Sequence, residues 1–131
     1  MKHFLTGVLA TLLLAGCATI SDTKRQKSFD ETTLLYEKAI RWGDFATARQ
    51  FQRLESDAPG KPLPQAGIRV SSYRQLAKRT LPDDNTIAVT VKIDYYHNDT
   101  LKVMTLTDNQ VWSYTPDENS WHITTPLPAF R

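Results

Sequence analysis

The chain has 131 residues, 40% of them hydrophobic and 23% charged, with 16 Lys+Arg against 14 Asp+Glu and a formal net charge of +2. The length suits one domain of ordinary size, and the balanced charge excludes the strongly basic footprint of a nucleic-acid binder. A single cysteine excludes an intramolecular disulfide, so core packing has to hold the fold.

Lys2 and His3 form a short polar start, and Phe4 to Leu14 is an apolar run. A helical bilayer span takes about 20 apolar residues, so this run is too short for a permanent span and reads as a removed targeting segment. It closes on Leu14-Ala15-Gly16-Cys17, which resembles the lipobox of a bacterial lipoprotein signal peptide. The resemblance implies a leader over 1–16, diacylglycerol on the Cys17 sulfur, cleavage before Cys17 and acylation of the new amine. Several acyl chains on one residue hold stably, because each buried CH₂ contributes about 0.8 kcal/mol and one chain alone holds only marginally. Ala18 rather than Asp follows the cysteine, which in an enterobacteria-like envelope implies the outer membrane, with the domain facing the periplasm. Residues 17–27 read as the acylated cysteine and a tether, with Lys24, Arg25 and Lys27 as a solvated basic run.

The domain is expected over 28–131. Ser28-Phe29-Asp30-Glu31 fits a capping box, and Leu35, Tyr36, Ala39 and Ile40 follow at the spacing of one helix face. Gly43 stops that helix, and Asp44 caps a second one carrying Phe45, Ala46, Ala48, Phe51 and Leu54. Glu55 to Gly67, with three prolines and two glycines, is a loop. A strand starts around Ile68, Val70 and Ser72, and Pro82 to Asn85 is a turn.

Ile87, Val89, Val91, Ile93 and Tyr95 then alternate with more polar neighbours, the period of a strand with one buried face. His97-Asn98-Asp99 reads as a hairpin loop pairing Tyr95 with Leu101 and Ile93 with Val103. Asp108-Asn109 reads as a two-residue turn, and Pro116 to Asn119 as a loop pairing Trp112 with Ile123 and Tyr114 with Trp121. These turns keep the large residues on one face of an antiparallel meander from Ile87 to Thr125, and a one-residue slip breaks that. A one-sided sheet needs a cover, which the helices over 29–54 supply. The expected fold class is α+β, N-terminal helices packed on a curved antiparallel sheet.

The elbow Ala39-Ile40-Arg41-Trp42-Gly43-Asp44-Phe45, followed by a meander ending in Trp121-His122-Ile123, resembles the NTF2-like, cystatin-like cone domains over about residues 28–131. That superfamily holds isomerases, dehydratases, ligand binders and assembly modules, so the resemblance implies a fold and leaves function to the site. Its enzymes place an acid, His or Tyr inside the cone.

In this register the inward residues are Ile93, Tyr95, Val103, Trp112, Tyr114, Trp121 and Ile123. Asp94 and His122 point outward, His97 lies in a turn, and no inward acid–base pair is expected. No catalytic, cofactor-binding or metal-ligating set emerges: the histidines are far apart, and Gly60 and Gly67 do not form a phosphate loop. Tyr95, Trp112, Tyr114 and Trp121 either fill the core or line an apolar pocket. The Pro-rich end, Pro126 to Phe130, is expected to run along an edge and dock Phe130. The expectation is a non-enzymatic envelope lipoprotein, bound to the membrane through Cys17 and binding a protein partner or an apolar ligand, with no nucleic acid and no cofactor. The alternative is an NTF2-like enzyme acting on a small apolar substrate.

Overall fold

The computed structural model describes the backbone of residues 4–54 and 62–131 and the side chains of 20–54 and 62–131. The leader expected over 1–16 and the anchor at Cys17 lie outside the described side chains. Two compact units divide at Thr32/Thr33. The elements are α1 (Phe4–Arg41), α2 (Phe45–Arg49), β1 (Ile68–Thr80), β2 (Thr86–His97), β3 (Met104–Thr115), a 3₁₀ turn (Pro116–Glu118) and β4 (Ser120–Ile123). The strands form one antiparallel sheet in the order β1-β2-β3-β4. The second unit is thus α+β, an arrangement consistent with the NTF2-like cone. Among the described residues no helix is long and apolar enough to cross a membrane.

Within the first unit, α1 runs through Ser28 without a break, so the expected capping box does not form. The Ser28 carbonyl instead accepts the Thr32 hydroxyl at 2.8 Å, a bond made in the middle of a helix, and the stretch 20–27 expected as a tether is helical. Glu31 faces Lys27 along the helix rather than turning back to a cap. In the second unit, Tyr36, Ala39 and Ile40 are buried as their spacing predicts, but Leu35 is exposed.

The helix end follows the sequence closely. Gly43 takes φ +69°, its N–H donates to the Ile40 carbonyl at 3.1 Å, and the Asp44 N–H donates to the Ala39 carbonyl at 2.9 Å. This bond pair is a Schellman ending. Asp44 then caps α2, its Oδ1 accepting the Thr47 N–H at 3.1 Å. α2 ends at Arg49, short of the expected Leu54, because the chain there turns to extend beside β4. The Phe51 carbonyl accepts the Ile123 N–H at 2.8 Å, and the Arg53 N–H donates to the Ile123 carbonyl at 2.9 Å.

β2 buries Ile87, Val89, Val91, Ile93 and Tyr95, the expected face. The next two turns are corrected. Leu101 and Val103 are 69% and 59% exposed and lie in the connection between β2 and β3. Ile93 pairs with Leu106 and Tyr95 with Met104, not with Val103 and Leu101. Asp108 and Asn109 are not a turn: they stand mid-strand, opposite Val91 and Thr90. β3 is therefore one twelve-residue strand where two short ones were expected. His97 is the last residue of β2, not a turn residue. The final hairpin is as expected, with Trp112 opposite Ile123 and Tyr114 opposite Trp121.

Candidate functional site: a buried polar network on the inner face of β3

The corrected register turns two polar side chains into the core. Along β3 the inner face runs Asp108, Gln110, Trp112, all three buried. Asp108 is thus an inward acid, which the expected register had removed by spending it on a turn.

The network is built around the Gln110 amide. An indole N–H can only donate, so the 3.0 Å bond from Trp112 Nε1 fixes which amide atom is Oε1. Nε2 then faces two acceptors, Asp108 Oδ2 at 2.8 Å and Tyr73 Oη at 2.9 Å. Tyr73 reaches across from β1, where it stands opposite Ile93. Tyr36 comes down from α1, its ring edge-on to Trp112 at 5.3 Å and to Phe51 at 6.0 Å. Its hydroxyl is buried and has no hydrogen-bond partner among the described residues.

The electrostatics follow from burial. Desolvation raises the Asp108 pKa above the ordinary 3.8, and the bond from Gln110 only partly opposes that. Burial likewise raises both tyrosines, with the Asp108 charge adding to each; Tyr73 adds to Tyr36, while the Gln110 bond opposes the rise at Tyr73 and Glu37 adds to it. Glu37 is itself held by Arg41 at 3.0 Å on the helix surface. Chemically the cluster is a carboxyl whose charged form burial disfavours, beside one phenol bonded to Gln110 and one with no hydrogen-bond partner among the described residues.

The aromatic residues singled out from sequence do not gather in one place. Tyr95, Trp112 and Trp121 are buried and Tyr114 is half-buried. Trp112 meets Tyr36, while Tyr114 and Trp121 form their own pair at 5.1 Å. Tyr95 lies at the other end of β2, packed against Phe130 at 5.0 Å. Phe130 also meets Phe45 at 5.3 Å, so the tail docks as expected. His97 Nε2 donates to the Arg131 main-chain oxygen at 2.6 Å, and the Arg131 N–H donates to Tyr95 Oη at 3.0 Å.

Asp94 points outward and accepts the Thr105 hydroxyl at 2.6 Å. His122 lies 3.9 Å from Glu118, which takes a 2.6 Å bond from Arg53. Desolvation first, then Arg53, lowers the His122 pKa below 6.5. Among the described residues no group of three or more His, Cys, Asp or Glu could hold a metal ion. An open groove of about 450 Å³ lies between Gly43–Ala46 and Leu63–Arg69, and none of the network residues lines it. Compared with known proteins, the chain matches no family model, no curated protein and no solved structure.

Sequence reasoning missed Asp108, Gln110 and Tyr73 as a set. The signal was present: Met104, Leu106, Asp108, Gln110, Trp112 and Tyr114 keep period two without a gap.

Proposed function

We propose that the protein is an envelope lipoprotein, held in the outer membrane through Cys17, whose periplasmic domain is a non-enzymatic module that binds a protein partner. The observation that carries this reading is where the apolar side chains sit. Tyr36, Ile40, Ile93, Trp112 and Ile123 pack the inner face of the sheet, while Trp42 is 83% exposed. Leu34 and Leu35, on α1 before Trp42, are exposed too. Exposed tryptophan and leucines suit recognition by an outer surface, where aromatic anchors carry most of the binding energy.

Asp108 supports a second reading, an NTF2-like enzyme acting on a small apolar substrate, because an acid with a raised pKa inside the domain suits proton transfer. Two experiments separate these ideas. Fatty-acid labelling of cells should mark the wild type and not Cys17→Ser; equal label in both removes the anchor. In rescue of a deletion strain, folded and anchored Trp42→Ser should fail while Asp108→Asn succeeds. The reverse pattern moves the enzyme to first place.

A further inference from the structure

One edge of the sheet, the outer side of β1, is paired with no further strand among the described residues. From Arg74 to Thr80 every residue is exposed. An open edge presents a row of backbone donors and acceptors that templates another strand.

The charge of this edge is one-sided. β1 carries Arg69, Arg74, Lys78 and Arg79 and no acid, and all four are exposed. Arg69, Arg74 and Arg79 stand opposite Tyr96, Lys92 and Ala88, the residues of β2 that alternate with its buried face, so these three arginines share the outer face of the sheet. Arg74 and Lys92 are direct cross-strand neighbours, and like charges so placed destabilise a sheet. Asp94, the acid nearest along β2, is engaged with Thr105 on the other side. A carboxylate arriving from outside would relieve the Arg74–Lys92 repulsion.

Basic residues and bulges commonly guard edges against self-pairing, and β1 has both, with register shifts between Val70 and Ser72 and between Gln75 and Ala77. That guard is selective. It repels a second copy of β1, which brings the same charges, and it attracts an acidic strand. Leu76, 58% exposed at the second shift, adds an apolar contact beside the charges.

We propose that the free edge of β1 from Arg74 to Thr80 docks an extended acidic segment of a partner protein, which adds to the sheet as a further strand. This deepens the reading of the domain as a protein-binding module and rests on it. Main-chain bonds supply affinity in such strand addition and side chains supply selectivity; here the selectivity is for carboxylates.

The test uses the full chain in detergent micelles and a fluorescent peptide alternating Glu with Val. The peptide should bind, and binding should weaken about ten-fold or more in Arg74→Glu/Arg79→Glu and fall as salt rises. Arg74→Gln/Arg79→Gln, which keeps the strand's hydrogen bonding and adds no charge, should weaken it less. Methylating alternate backbone nitrogens of the peptide should abolish binding for one alternate set and spare the other, because only one set faces the edge. Three results overturn the proposal. One is no binding by wild type. A second is binding indifferent to both methylated sets, which leaves charge alone. The third is binding of a single-stranded oligonucleotide or an anionic lipid vesicle, lost in the same variants, where the peptide does not bind. Failure here with intact Cys17-dependent labelling and a Trp42→Ser rescue defect removes this edge as the docking site and leaves the proposed function standing.

Discussion

Asp108 sits where an aspartate costs stability at neutral pH. Its folded pKa is raised above 3.8, so between 3.8 and the folded value the native state binds more protons than the unfolded chain. Stability therefore falls as pH rises through that window. His122 acts in the opposite sense: its folded pKa is below 6.5, so its contribution is present above 6.5 and is lost as pH falls beneath it. Asp108→Asn removes only the first effect. The asparagine side-chain oxygen still accepts the Gln110 N–H. We expect Asp108→Asn to be more stable than wild type near neutrality, with the gap closing as pH approaches 3.8. Urea midpoints across that range measure it, and a variant less stable than wild type near neutrality would refute the buried-acid account.

Local chemistry and long-range pairing differ in how well they can be read from sequence at the level of elements. The elbow between α1 and α2 was legible because Gly43 and Asp44 act on their own backbone. Gly43 holds φ +69°, and a Cβ there would meet the Ile68 carbonyl oxygen at 3.6 Å, an ordinary contact. With no clash to add, Gly43→Ala should cost the left-handed strain alone, about 1–2 kcal/mol. Thermal melts would show it, and a loss well beyond that range would mean that the Cβ displaces β1. β2 was legible because each of its inward residues is apolar. β3 was not, because Asp108-Asn109 carries turn chemistry by composition while its actual partners are Gln110 on the same strand and Val91 and Thr90 on a strand far off in sequence. β1 was only half legible. Its first residues alternate, but from Arg74 it is an exposed edge with a bulge, where no core imposes a period. The candidate network shared that fate, since it exists only in the true register.

The whole second unit is closed by its tail. After β4 the chain crosses beside β3, where the Thr124 N–H donates to the Val111 carbonyl at 2.8 Å and Gln52 Nε2 donates to the Thr125 carbonyl at 3.1 Å. It then brings Phe130 between Phe45 at the start of α2 and Tyr95 near the end of β2. The tail therefore ties together elements that share no strand pairing: the elbow helix, β2 and β4. Phe130 is half-buried, so its loss should cost less than the full 1.5–3 kcal/mol of a buried aromatic, although its two ring contacts add to the area it covers. We expect Phe130→Ala to destabilise the domain by about 1–2 kcal/mol in urea melts. Because Tyr95 and His97 bond the next residue, Arg131, hydrogen exchange should rise first at the 95–98 end of β2 and around Phe45. The Trp112 end, held by Gln110 and Tyr36, should keep its protection. Uniform loss of protection across β2 would show instead that the sheet opens as one unit and that the tail latches no particular end.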